Sequence, residues 1–314
     1  MKNRFEFLTK NFYRNSRFDN CFEKKTAELF DGNYSYQTKS RIYLTLKLEE
    51  VQLSFLLVLS DVLKARYFFD IGANVGTYSL AMNSVFKNKI FIKAFEPSSA
   101  AYLELKNNFH SKKNIESYDL AISSTTGQAE FRDYGHLSGK NSLFQTSIHN
   151  SKDVKKVTLV KTVSIDGLFN YTNTFSIFKI DTEGNELEVL KGAKEFLNNN
   201  KCIVQLETGW SEQGIKKSME EFFVINNYAL LTTIGVDVYY TNIDNLFDKT
   251  IFREIEERLN KYLISKKIKF IKSEDGFRIV IKKLGVFNYR MFIASVRFLP
   301  KRLFSKLRRT FLNP

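Results

Sequence analysis

From about residue 48 onward the chain alternates short apolar runs with segments of helical period. Leu48 to Ala65 reads as helix, Tyr67 to Ile71 as strand, Gly76 to Phe86 as helix and Ile90 to Phe95 as strand. Ser98 to His110 follows as a helix capped by Ser98 or Ser99, then Ile115 to Ile122 as a strand. Phe175 to Ile180 is a strand, Asn185 to Leu197 a helix, Cys202 to Glu207 a strand and Ser218 to Asn226 a helix. Ala129 to Phe131 and Val157 to Ile165 are extra strands flanking a polar loop, and Tyr228 to Thr241 is a hairpin. Such alternation requires an α/β fold, a largely parallel sheet with helices on both faces. The late hairpin adds an antiparallel strand pair at one edge. The most apolar stretch, Val51 to Leu63, is shorter than the roughly 20 residues of a membrane span and carries Asp61, so it reads as a buried helix.

In open parallel sheets a ligand sits beyond the carboxyl ends of the strands, where strand order reverses. Those ends are Asp70 to Gly76, Glu96, Asp119 to Ser123, Asp181 to Gly184 and Glu207. Acids recur there on otherwise apolar runs. The first end, "DIGANVG", is a glycine turn between a strand and a helix, and the free N–H groups of that helix face the turn. Glu96, twenty residues past Gly76, can accept two hydrogen bonds from a ribose. A dinucleotide turn needs a middle glycine to admit pyrophosphate, and Asn74 occupies that place. Asp70, just ahead of the turn, suits an ammonium better than a phosphate. The spacing therefore favours S-adenosylmethionine over NAD.

Further along come "AFEPSSAAYLELKNNF", "LAISSTTGQAEF", "TVSIDGLF" and "FKIDTEGNELEVLKGAKEFL", in that order. With the glycine turn, this series over Val51 to Trp210 resembles the FkbM family of S-adenosylmethionine-dependent methyltransferases. The resemblance implies the class I methyltransferase fold, a Rossmann-like seven-stranded sheet with one antiparallel strand. It also implies O-methylation, often of natural products or surface polysaccharides. By position, Asp70, Gly72, Ala73, Asn74 and Gly76 would surround the methionine part of the cofactor and Glu96 would hold the ribose. Asp119 is the candidate side chain at the adenine pocket.

Methyl transfer is an in-line displacement in which the enzyme aligns an acceptor oxygen and a general base removes its proton. Asp181 and Glu183 in "KIDTEG" are the candidate catalytic acids, expected to point the same way as alternate residues of extended chain. Glu183 could instead cap the following helix while Asp181 supports the cofactor loop. Paired acids can hold magnesium, but no further oxygen ligands are identifiable, so no metal is expected. The polar loop Asp133 to Lys156 contributes His136 and His149 as further base candidates, and Glu207 faces the same edge. Trp210 and Tyr78 read as packing residues.

Two cysteines, Cys21 and Cys202, make neither a disulfide framework nor a zinc set, and the charged N-terminus has no signal-peptide run. A cytoplasmic protein is expected. Of the net charge of +14, +10 falls between Gly276 and Pro314, a stretch with ten Lys or Arg and no acid. There Phe292, Val296, Leu299, Leu303 and Leu307 form one helical stripe. Three parts are expected: an N-terminal helical extension (1–47), the methyltransferase domain (48–284) and a basic amphipathic helix (285–314). The helix suits peripheral contact with an anionic membrane surface, at the inner face of the membrane, ahead of docking on its own domain and of RNA. The expected acceptor is a hydroxyl on a glycan or related small molecule. The alternatives are a nucleic-acid methyltransferase using the basic segment, which is the weaker reading, and a non-catalytic scaffold.

Overall fold

Each central strand carries apolar residues on both faces, so each face needs a cover. In chain order the elements are α1 (Glu50–Leu63), β1 (Tyr67–Ile71), α2 (Thr77–Phe86), β2 (Phe91–Phe95), α3 (Ser99–Asn108), β3 (Ile115–Tyr118) and β4 (Ala121–Ile122). There follow β5 (Gly127–Asp133), β6 (Lys156–Val163), α4 (Ile165–Leu168), β7 (Phe175–Ile180), α5 (Glu186–Gly192), α6 (Lys194–Asn199) and β8 (Lys201–Glu207). The last described elements are α7 (Gln213–Ile225), β9 (Ala229–Ile234), β10 (Asp237–Thr241), α8 (Lys249–Tyr262), β11 (Ile268–Ser273) and β12 (Gly276–Ile281). This computed structural model describes residues 49–135, 138–143, 153–209, 211–262, 268–273 and 276–281, with 34, 35, 38, 39, 41, 42 and 45 before them. The basic stretch 285–314 and most of 1–47 lie outside the described residues, as do His136, His149 and Trp210.

The main sheet has the order β11-β12-β9-β10-β8-β7-β1-β2-β3. Strands β3, β2, β1, β7 and β8 run parallel. β10 is antiparallel to both β8 and β9. These seven make the class I methyltransferase sheet, and the hairpin of β11 and β12 extends it beyond β9. Chain order runs from β1 outward to β2 and β3 on one side and resumes at β7 on the other, so the reversal point lies between β1 and β7.

Period-two alternation sorts the strand residues into two cores. Phe68, Ile92, Ile177, Ile203 and Tyr239 pack with α1 and α2 on one face. Phe69, Phe95, Phe178, Val204 and Tyr240 pack with α5, α6 and α7 on the other, where Phe69 stacks on Phe178 with centroids 4.4 Å apart. Helix α1 is buried from Gln52 through Ser60, as its apolar run requires. Among the described residues no helix is long and apolar enough to cross a membrane.

The local departures from the sequence reading have identifiable causes. The strand expected over Ile115 to Ile122 divides. β3 joins the main sheet, while β4 pairs with β6 in a separate three-stranded sheet, β4-β6-β5. The helix expected over Asn185 to Leu197 breaks after Gly192, where a Cβ would lie 2.1 Å from the Ser123 carbonyl oxygen.

Candidate functional site

One cleft opens at the reversal point. Gly72, Asn74, Glu96, Asp181 and Glu183 line one part of it, and Phe95, Leu120, Ile122 and Phe131 another. Five of the nine expected site residues therefore share a wall. Asp70, Ala73, Gly76 and Asp119 do not reach it; Asp119 is exposed, and its neighbour Leu120 lines the cleft instead.

The glycine turn is held from inside the protein. Gly72, Asn74 and Gly76 all have positive φ, at 77°, 51° and 85°. The amides of Gly72 and Ala73 donate to the Phe95 carbonyl, at 3.0 and 2.9 Å. A Cβ at Gly72 would sit 1.8 Å from the Asp181 carbonyl oxygen, and one at Gly76 would sit 2.5 Å from the Phe109 ring. Close packing thus demands both glycines, apart from any ligand. Glu96 closes the turn, accepting from the Asn74 amide at 2.9 Å and the Ser98 amide at 2.8 Å. Burial pushes its carboxyl up to about 7 despite those two bonds.

Asp70 turns inward. Its Oδ2 accepts from the Ser79 amide (3.2 Å) and hydroxyl (2.7 Å) in the first turn of α2, and its Oδ1 lies 3.9 Å from the Lys179 ammonium. Alternation along β7 and β8 sends Lys179 and Gln205 to that same face, under α1. There Asp237 accepts from Gln52 (3.2 Å) and Gln205 (3.1 Å), and Tyr78 donates to Glu49 (2.9 Å). Burial pushes Glu49 up to about 7 and Asp237 up to about 6.

Asp181 and Glu183 meet differently from the expectation. The strand ends at Ile180, and Glu183 has a left-handed backbone (φ 56°), so the two acids are not alternate residues of extended chain. The turn still gathers them with Glu207, one carboxylate oxygen from each lying within 4.8 Å of the others. Asp181 and Glu207 are hydrogen-bonded to one another. Glu183 does not organise the start of α5; Glu186 does, its Oε1 accepting from the Thr182 amide, the Thr182 hydroxyl and the Gly184 amide, each at 3.0 Å. Burial and then the Asp181 charge push Glu183 up to about 9 and Glu207 well above the carboxylate range. Burial also pushes Asp181 upward, but the Lys179 ammonium, 3.0 Å away, more than offsets it and holds Asp181 below its ordinary value. A hard divalent cation takes six or more oxygens. Here a cation, Lys179, already stands at the cluster, and Arg41 feels the charges of Glu183, Glu49 and Asp181.

Four contributors escaped the sequence reading. Lys179 was one polar residue in a strand counted as apolar. Asn185 is buried on the cleft wall; its Nδ2 donates to the Ile122 carbonyl at 2.8 Å, while its Oδ1 has no partner among the described residues. Glu49 and Arg41 come from ahead of the domain core, and no local motif marks them. That segment is anchored by Ser35 and Thr38, whose hydroxyls donate to Glu104 at 2.6 and 2.7 Å, and by Ile42 in the core.

Two curated relatives are similar to this chain. The hexuronic acid methyltransferase AglP of Haloferax volcanii is 24% identical over 196 residues, covering 61% of this chain and 77% of its own. The methyltransferase sdnD of Sordaria araneosa is 26% identical over 244 residues, covering 68% and 90%. A solved FkbM methyltransferase from Methylobacillus flagellatus KT is 18% identical with a TM-score of 0.41, over 57% of this chain and 44% of that one. The methyltransferase FkbM domain itself matches residues 70–260, more than half of the sequence, from Asp70 at the glycine turn through the acid cluster to α8. The chain belongs to the FkbM family of methyltransferases.

Proposed function

We propose that this methyltransferase uses S-adenosylmethionine to methylate a hydroxyl on a glycan or related metabolite. The observation that carries the reading is the single cleft shared by the glycine turn, Glu96 and Asp181. The wall fits the cofactor at three points. Each Glu96 oxygen is used once by a backbone amide and keeps a lone pair for a ribose hydroxyl. Phe95, Leu120, Ile122 and Phe131 offer an apolar slot for the adenine. The unpartnered Asn185 Oδ1 supplies an acceptor beside that slot. The cleft encloses about 80 Å³, well below the roughly 300–1,000 Å³ of pockets that bury a drug-sized ligand, so the cofactor also occupies its open side. The cofactor supplies an activated methyl group; the chain binds, aligns and deprotonates the acceptor. A sugar acceptor is favoured by the relative named a hexuronic acid methyltransferase. The test has two arms. Calorimetry with S-adenosylhomocysteine is expected to show binding that Glu96→Ala weakens by at least tenfold. Incubation with methyl-labelled cofactor and a host glycan extract is expected to label a saccharide in the mass spectrum. Absence of cofactor binding by the wild-type chain, or label only in RNA or protein, overturns the proposal.

A further inference from the structure

Lys179 is the least expected residue of the β7 strand. Its neighbours along that face and the opposite one, Ile177, Phe178 and Ile180, are all apolar and buried. Its own side chain is 7% exposed, yet it carries an ammonium. That ammonium donates to Asp181 Oδ2 at 3.0 Å and to the Gly72 carbonyl at 3.4 Å. It lies 3.9 Å from Asp70 Oδ1 and 5.1 Å above the Tyr78 ring. The contacts span β1, its glycine turn, α2 and the loop after β7, and of these the end of β1, the turn and the loop line the cleft. Stability alone does not account for such a residue, because replacing a buried ion pair by well-packed apolar side chains is commonly neutral or stabilising. What the ammonium does here is choose among acids.

We propose that Lys179 is a positioning residue, fastening Asp181 to the cofactor turn as a carboxylate and so making Asp181, of the three clustered acids, the group that takes the acceptor's proton. The proposal rests on the methyl-transfer reading above. In the balanced step the acceptor oxygen forms a bond to the methyl carbon and the carbon–sulfur bond breaks. Its electron pair stays on sulfur to give S-adenosylhomocysteine, and the hydroxyl proton passes to Asp181. The surroundings agree with this division of labour. Asp181 has the ammonium on one side and the hydrogen-bonded Glu207 on the other. Glu183 and Glu207 are pushed up by burial and by the Asp181 charge, so they hold their protons and can donate. Other charged or titratable groups also face the cluster. Arg41 and Glu49 come from the N-terminal segment, and Asp70 and Tyr78 from β1 and α2. Lys140 comes from the loop after β5, Glu186 from α5 and Asp237 from β10. Lys179 is in direct contact with Asp181, at 3.0 Å.

The experiment uses the full chain labelled with carboxyl-¹³C aspartate, the Asp181 resonance being identified by its loss in Asp181→Asn. In the wild type that signal is expected to titrate below the ordinary aspartate midpoint, because the Lys179 ammonium favours the carboxylate. In Lys179→Met its midpoint is expected to rise by more than about one pH unit, and Lys179→Arg is expected to restore it. Methyl transfer to the glycan extract at saturating cofactor should fall about 10²-fold in Lys179→Met through the lost fastening of Asp181, and its acidic limb should move to higher pH with the Asp181 midpoint. An Asp181 midpoint that does not move, or a rate profile that does not shift, overturns the proposal. If Lys179→Met does not fold, the charge-balanced double variant Lys179→Gln, Asp70→Asn carries the same measurements. S-adenosylhomocysteine binding by the wild type separates the two failures. Its absence removes the methyltransferase reading; binding with an unmoved Asp181 removes only the role of Lys179.

Discussion

Replacing Gly72 by alanine tests whether the turn is glycine for internal reasons. The residue has φ +77°, a left-handed conformation that costs an L residue roughly 1–2 kcal/mol. The new methyl carbon would begin 1.8 Å from the Asp181 carbonyl oxygen, and backbone cannot rotate away as a side chain can. Relief requires β1 and β7 to part at the Ile71–Ile180 pair, where the Asp181 amide donates to the Ile71 carbonyl at 3.1 Å. Overpacking of this kind costs roughly 1–3 kcal/mol, so the total is about 2–5 kcal/mol. That is a large share of the roughly 5–15 kcal/mol by which domains are stable. The assay is urea unfolding followed by circular dichroism, without ligand. Gly214→Ala provides the control: Gly214 lies in α7 with nothing within 4 Å of an added Cβ, so alanine there should stabilise by about 0.5–1 kcal/mol. A Gly72→Ala protein within about 1 kcal/mol of wild type refutes the reasoning, since the glycine would then answer only to a ligand.

The Glu96 carboxyl yields two pH dependences of opposite sense. As the charged form accepts best from ribose hydroxyls, S-adenosylhomocysteine affinity should fall as pH drops through about 7, and Glu96→Gln should flatten that profile in calorimetry. For folding the sign reverses. A carboxyl raised from 4.5 to about 7 contributes stability fully present below pH 4.5 and lost as pH rises through 7. Wild type should therefore lose up to about 3 kcal/mol relative to Glu96→Gln across that window, and equal pH slopes in urea melts would remove the argument. Glu104→Ala should cost about 1–3 kcal/mol by leaving the Ser35 and Thr38 hydroxyls without their charged acceptor; a variant as stable as wild type would mean that other contacts, such as Ile42 in the core and Asn108 on the Thr38 hydroxyl, hold the N-terminal segment.

The location of the site was legible because it follows from local pattern and one topological rule. Apolar alternation gives strands, strand–helix alternation gives a parallel sheet, and ligands gather where such a sheet reverses. The turn, Glu96 and the Asp181 turn do lie there, and the hairpin that closes the seven strands was visible in its own sequence. The roles were less legible, because they depend on which strand ends become neighbours. Asp70 and Asp181 look alike in sequence, each an acid at the end of an apolar run. Their difference comes from Lys179, which touches both only after β1 and β7 pair. Asp119 failed to reach the cleft for a related reason. The run it interrupts is two strands in two sheets, and the residues beyond it, Leu120 to Ile122, take the wall.

An acid at a strand end plays different parts in this fold. Asp70, Asp181 and Glu207 all stand at the carboxyl edge, and Asp237 pairs in register with Glu207 there. Asp237 answers to Gln52 and Gln205, and Asp70 Oδ2 to Ser79, while Asp70 Oδ1 has only the Lys179 charge, 3.9 Å away. Glu183 and Glu207 are driven toward their neutral forms. Among the described residues Lys179, Arg41 and Lys140 face more acids than they can balance as anions, and the low-dielectric interior makes every uncompensated charge expensive. The protons the acids keep are the compensation. The acidic edge therefore divides: Glu183 and Glu207 are held toward forms that donate, while Asp181, Asp70 and Asp237 act as acceptors. In the cluster it is Lys179, 3.0 Å from Asp181, that holds Asp181 below its ordinary value while Glu183 and Glu207 are raised, and on the proposal above that difference is what would single out one base.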